Sequence, residues 1–201
     1  SVGQMPVDVE QIQCDFLSVT GRKFLRGPRG TGLLFVGDRV LDMGLAPLRI
    51  DAWSADWVAP NRFEYHDTAQ RFEIYEQSYS CTLGLKEALK YANNMGIDSI
   101  YAYNQTLLKQ LSANLSNIAG VKILDEGDPL VNILTFQKKG VSQSRHHEVL
   151  KSNTIYYSTA FRRTALIDFD KKGEDWAIRF SPHYFNTLEE VERIEEVITN
   201  L

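Results

Sequence analysis

Two apolar runs, FLSV and GLLFV, stand at either end of the stretch from Phe16 to Val36 and read as buried strands. Their connection carries four positive charges (Arg22, Lys23, Arg26, Arg29) and four glycines (Gly21, Gly27, Gly30, Gly32). Next comes DAWSADWVAPNRFEYHD, too aromatic for a flexible linker and so expected to pack as an ordered loop, then the charged and aromatic RFEIYEQ. The period then lengthens. Leu85, Ala88, Leu89 and Ala92 fall on one face of a helix expected from Thr82 to Met95, with Gly96 as its stop. Asp98 is a candidate N-cap for a second helix, on which Ile100, Leu107, Leu108, Leu111 and Leu115 form an apolar stripe.

Gly120 ends that helical unit, and shorter elements complete the chain. VKIL and VNILTFQ read as strands, SRHHEVLKS as a polar helix that leaves His146 and His147 solvated, and TIYYSTAF and WAIRFSPHYF as strands. Thr187 and Glu190 have capping-box spacing, and Leu188, Val191, Ile194, Val197 and Leu201 form the buried face of a closing helix. The pattern is that of an α/β chain with a domain boundary near Gly120, which sets residues 1–119 apart from a compact α+β domain over 120–201.

Composition narrows the function classes. At 201 residues the chain is long enough for one large domain or two small ones with a sizeable core. A formal net charge of -4 argues against broad nucleic-acid or anionic-membrane binding, so the basic connection stands out from its background. Cys14 reads as a small buried strand residue and Cys81 as a packing residue at a helix start. These two cysteines lack CxxC spacing, which excludes a disulfide scaffold and a cysteine-built zinc site; no metal site is expected. There is neither a membrane-length apolar run nor a signal-peptide pattern, so a cytoplasmic setting is expected, with the sequons at Asn104 and Asn114 as chance matches in helices. The opening SVGQMPVDVE has no initiator methionine and reads as if cut from something longer.

The basic connection admits several chemistries. GPRGTG lacks GxxxxGK[ST] spacing and leads into a strand, so no helix N-terminus is available to hold a nucleotide phosphate. A cationic, solvated hairpin is the plain alternative, and a module that binds an anion through this turn is another. Lys23, however, directly follows a strand that reads as buried. Partial desolvation at such a place lowers an amine's pKa and makes it a nucleophile. His183 is a further, weaker active-site candidate, while Arg179 could simply pair with a nearby carboxylate.

CDFLSVTGRKFLRGPRGTGLLFV resembles the active-site lysine segment of class V aminotransferase-type, fold-type I pyridoxal-phosphate enzymes, a group that includes cysteine desulfurases, selenocysteine lyases and isopenicillin N epimerase-like proteins. VGQMPVDVEQIQCDF resembles that family's approach to the lysine, RFEIYEQSYSCTLGLKEAL its RFE…LGL element, and IRFSPHYFNTLEEVERI its closing strand and helix. The extra residue between Lys23 and Gly27-Pro28, compared with the desulfurases, leans toward the epimerase-like branch.

The resemblance implies a pyridoxal 5'-phosphate cofactor held by Lys23 as an aldimine, with the freed amine moving the α-proton of a small-molecule amino-acid substrate. Thr20 and Arg22 would bind the cofactor phosphate, Arg22 standing where the family has a histidine, and Arg179 would clamp the substrate carboxylate. Neither cysteine matches the catalytic cysteine of desulfurases, whose loop here reads YYSTAFRRTALIDF. That departure argues against sulfur transfer through a persulfide and leaves lyase, epimerase and aminotransferase chemistry open. The resemblance also implies that residues 1–119 are the later part of a large domain with a mostly parallel sheet, and 120–201 a small α+β domain. The chain would then be a C-terminal portion, with much of the cofactor site supplied from before Ser1. It would have little activity alone and associate as a homodimer or with the missing half, without nucleic-acid or membrane partners. A non-catalytic stable fragment is the alternative.

Overall fold

Asp8 opens the first helix by accepting hydrogen bonds from the Glu10 and Gln11 amides, and Ser78 caps a longer one by accepting from Cys81 N–H. By its contacts the chain of the computed structural model, described over residues 1–127 and 131–201, forms two units, Ser1–Gly96 and Ile97–Leu201. Gly120, where the sequence pattern suggests a boundary, lies inside the second unit, just before its first strand.

The first unit comprises α1 (Val9–Ile12), β1 (Phe16–Thr20), β2 (Gly32–Val36), α2 (Asp38–Asp42), β3 (Ala55–Ala59), β4 (Arg62–Tyr65), a 3-10 turn (Ala69–Phe72) and α3 (Tyr79–Met95). β1 and β2 form an antiparallel hairpin with Phe16 opposite Val36 and Thr20 opposite Gly32. They are less covered than their apolar runs suggest. Val19 and Val36 are buried, but Phe16, Leu33 and Leu34 remain 41–45% exposed. A run such as GLLFV suits a strand covered on both faces, and no element among the described residues supplies the second cover.

The aromatic stretch expected as an ordered loop is the β3–β4 hairpin, with a bulge between Trp57 and Ala59. Arg71 anchors the 3-10 turn beyond it. Its buried guanidinium donates to the carbonyls of His66 (2.7 Å) and Leu45 (3.3 Å), joining the RFE element to the end of the α2 region. Asp51 accepts backbone N–H bonds from Tyr75 and Trp53, which hold its carboxyl below the usual carboxylate range.

The second unit comprises α4 (Ile97–Ser116), β5 (Val121–Ile123), β6 (Leu134–Lys138), α5 (Gln143–Ser152), β7 (Ser158–Phe161), α6 (Leu166–Lys172), β8 (Trp176–Phe180) and α7 (Leu188–Thr199). Its sheet has the order β5-β6-β8-β7 and is antiparallel throughout. The expected parallel sheet is therefore not found: every strand pairing among the described residues, in both units, is antiparallel. The core follows the α4 stripe, with Leu107, Leu111 and Leu115 fully buried against Phe136, Ile178, Val191 and Ile198. Phe136 and Phe180 stack with ring centroids 5.4 Å apart. The Thr187–Glu190 capping box is present at the start of α7.

Several local expectations change. α3 begins one turn before Thr82 because Ser78 takes the cap, and Asp98 lies in the first turn of α4. Cys14 precedes β1 and is half-buried, as is Cys81, and both are free thiols. Asn104 and Asn114 are buried on α4, so neither sequon offers an accessible side chain in this fold. Most telling is His146, expected in solvent but fully buried, its Nδ1 donating to the Ser142 carbonyl and its ring edge-on to Trp176. No helix among the described residues is long and apolar enough to cross a membrane, and no cluster of described residues has a metal-binding arrangement.

Two stability measurements probe this core. Phe136→Ala removes a fully buried ring, so chemical denaturation should show a loss of about 3–5 kcal/mol. Burial pushes the His146 imidazole below its ordinary value of 6.5. The unfolded chain therefore takes up this proton first, and the stability tied to neutral His146 is complete above about pH 6.5 and lost as pH falls below it. The melting temperature of the wild type relative to that of His146→Leu should accordingly fall between pH 7.5 and pH 5.5.

Candidate active site

β1 delivers the chain into a turn that closes on itself before β2 begins. Gly21 N–H donates to the Thr31 carbonyl and Gly27 N–H to the Gly21 carbonyl, both at 2.9 Å. Arg26 N–H donates to the Lys23 carbonyl at 2.8 Å, and the Thr31 hydroxyl donates to the Pro28 carbonyl at 2.7 Å. Lys23 is thus held in a small hydrogen-bonded loop between two strands.

α3 packs against this turn through close contacts at two glycines. A Cβ at Gly84 would sit 2.7 Å from Pro28 Cγ, and one at Gly27 would sit 2.8 Å from Leu85 Cδ1. The grip continues along the helix. The Arg26 guanidinium carbon lies 4.7 Å from the centre of the Tyr91 ring. Arg26 itself has φ 58°, in the left-handed region that favours glycine. Holding a long side chain there costs about 1–2 kcal/mol, and an exposed cation–π contact returns about 0.5–1 kcal/mol. The strain exceeds the return by about 0.5–1 kcal/mol, so Arg26 is not placed there for net stability.

Lys23 and Thr20 line one cleft of about 500 Å³, together with Met5, Pro6, Asp8 and Leu17. That volume lies within the range of small-molecule and cofactor sites, about 300–1,000 Å³. Lys23 is exposed, not set at the core edge, because it lies in the turn three residues beyond the end of β1. Arg22 is also exposed and is not part of the cleft wall. Among the residues expected at a cofactor site, the fold therefore brings Thr20 and Lys23 together and leaves Arg22 apart.

Arg179 belongs to the second unit, on β8, where it stands opposite Thr135 of β6 and Ser158 of β7. Its Nε is buried and meets no hydrogen-bond partner among the described residues. The ion pairs of this unit use other cations, such as Lys122 with Glu174, Arg162 with Asp170 and Lys172 with Asp168. A buried donor left without an acceptor costs about 1–3 kcal/mol. His183 is buried just after β8, with its ring stacked on Phe185 at 4.6 Å. The segment YYSTAFRRTALIDF holds no cysteine and folds as β7, a 3-10 turn at Arg162–Thr164 and the start of α6. Sequence reasoning misses the grip of Gly84, Leu85 and Tyr91 on the lysine turn; the signal for it is the LGL element.

Comparison with known proteins gives one consistent family. The aminotransferase class-V family model matches residues 1–194. A cysteine desulfurase from Synechococcus elongatus is 28% identical over 206 residues, covering 100% of this chain and 32% of that protein. A probable cysteine desulfurase from Methanothermobacter thermautotrophicus is 26% identical, covering 100% of this chain and 51% of that protein. The chain thus spans between about a third and about half the length of the curated relatives it matches. Among solved structures, the apo cysteine desulfurase of Thermococcus onnurineus NA1 has the same fold at TM-score 0.89 and 24% identity, covering 100% of this chain and 50% of that one. A cystine C–S lyase solved in complex with cysteine persulfide matches at TM-score 0.81 and 22% identity, again covering 100% of this chain and 50% of that one. With the family model running through nearly the whole sequence, and both the lysine turn and the closing strand and helix inside the match, this chain belongs to the aminotransferase class-V family.

Proposed function

We propose that this chain is part of a pyridoxal-phosphate enzyme acting on a small amino acid, with Lys23 as its cofactor lysine. The observation that carries the reading is the placement of Lys23 and Thr20 on one cleft wall, in a turn held rigid by α3, within a class V aminotransferase sequence. Pyridoxal phosphate, when bound, supplies an electron sink for a bond broken at the substrate's α-carbon.

The residues divide the remaining work. Lys23 Nζ would hold the cofactor through its aldehyde and would serve as the base for the substrate's α-proton. Thr20, on the same wall, would offer its hydroxyl to the cofactor phosphate, and Arg22, which lies outside the cleft wall, would be its second phosphate partner. Arg179 would clamp the substrate carboxylate, a role supported by its buried Nε, which has no hydrogen-bond partner among the described residues. The solved relatives include a cystine C–S lyase and a lysine-to-alanine mutant of it with glycine covalently linked to the cofactor. The absence of a cysteine from residues 156–169 favours α-carbon chemistry without a persulfide relay on this segment.

On this reading the enzyme works in the cytoplasm as a homodimer or joined to further parts of its own fold. The open apolar positions Phe16, Leu33 and Leu34 support such an association. Turnover by this chain alone is expected to be small, since it spans only part of the relatives' length.

The test is to incubate the chain with pyridoxal phosphate, reduce with borohydride and map the labelled peptides. The expected result is a visible absorption band and a label concentrated on Lys23, lost in Lys23→Arg and severalfold weaker in Thr20→Val. Equal labelling of many surface lysines, or binding that survives Lys23→Arg unchanged, would leave only an anion-binding turn.

A further inference from the structure

We infer that Arg26 is a positioning residue for Lys23: its guanidinium, stacked on Tyr91, locks the lysine-bearing turn to α3 and so sets the direction in which Lys23 is presented. This role rests on the reading of Lys23 as the cofactor lysine and falls to a charge that the reading leaves unused.

Three observations carry it. Arg26 occupies a left-handed backbone position, φ 58°, that glycine would fill without strain. The neighbouring Gly27 is closely packed: a Cβ there would meet Leu85 Cδ1 at 2.8 Å and the Gly21 carbonyl oxygen at 3.1 Å, so one of them would have to shift. Arg26 carries a long side chain through the same turn and sets its guanidinium over the Tyr91 ring, 4.7 Å from its centre. A long residue at a glycine-like position is thus tied to the helix that grips the turn.

The contact lies where a lock is needed. Leu85 and Gly84 hold the turn at Gly27 and Pro28, and Arg26 adds an attachment at a separate point of the same helix. Tyr91 is six residues beyond Leu85 on α3, about 9 Å farther along the axis at 1.5 Å per residue. Two attachments separated by that span fix an orientation. The link back to Lys23 is direct, because Arg26 N–H donates to the Lys23 carbonyl at 2.8 Å. A turn that swings at Arg26 swings the lysine, and misplacement of a reacting group by about an ångström costs large factors in rate.

The test uses competitive acetylation with limiting acetic anhydride, read lysine by lysine across pH by peptide mass mapping, alongside cofactor trapping with borohydride. Arg26→Gly relieves the strained backbone and so keeps the fold, and Tyr91→Leu removes the ring while Tyr91→Phe retains it. The Lys23 profile, normalised to Lys86 and Lys90, should change by about threefold or more in Arg26→Gly and in Tyr91→Leu. Tyr91→Phe should match the wild type, and the melting temperature of Arg26→Gly should not fall. An unchanged Lys23 profile in Arg26→Gly and Tyr91→Leu would overturn the assignment. So would a change that merely tracks a loss of melting temperature. Failure of wild-type Lys23 to take the cofactor would instead remove the function proposed above, while the acetylation profile would still decide whether Arg26 orients this lysine.

Discussion

The close approach of α3 to the turn between β1 and β2 is the constraint on which the first unit depends. Gly84 lets Pro28 lie against the helix backbone, and Gly27 lets Leu85 fill the inside of the turn. Neither contact tolerates a Cβ without displacement. Close packing thus accounts for Gly21, Gly27 and Gly32, while Gly30 faces open space at φ 80°. What it provides is a loop stiff enough to hold a lysine at a fixed place beside Thr20.

The second unit solves a different problem. Its antiparallel sheet and three of its helices enclose a well-filled apolar core, with Leu107, Leu111, Phe136 and Ile178 fully buried. That rigidity allows β8 to carry Arg179 with a buried nitrogen unsatisfied. A cost of about 1–3 kcal/mol is tolerable only where the surrounding packing is strong. The first unit buries Val19, Leu25, Val36, Val40 and Leu85. Its hairpins expose Phe16, Leu33, Leu34 and Trp57, and the clasp around the lysine turn adds to that core.

Much of this is legible in the sequence where one physical signal dominates. The α4 stripe and the capping box of α7 are clear because helical period and cap chemistry are local. The lysine turn stands out because its charges and glycines interrupt two apolar runs. His146 cannot be read that way: on a helix with mostly polar neighbours it looks solvated, and its burial depends on Phe136 and Trp176, which lie on separate strands elsewhere in the chain. The antiparallel pairing of every described strand is likewise hidden, since apolar runs report burial and not direction. Arg22 and Lys23 are adjacent in sequence, yet only Lys23 reaches the cleft wall, a distinction set by the turn and not by composition.

The most direct test of the clasp is residue-resolved hydrogen exchange on the turn. Gly21 and Gly27 donate the hydrogen bonds that close it, whereas Gly30 faces open space. A rigid turn gripped by α3 predicts that the Gly21 and Gly27 amides exchange much more slowly than that of Gly30, and that Gly84→Val abolishes the difference. Exchange of Gly21 and Gly27 as fast as Gly30 in the wild-type chain would contradict the account, because the lysine would then sit on a loose loop.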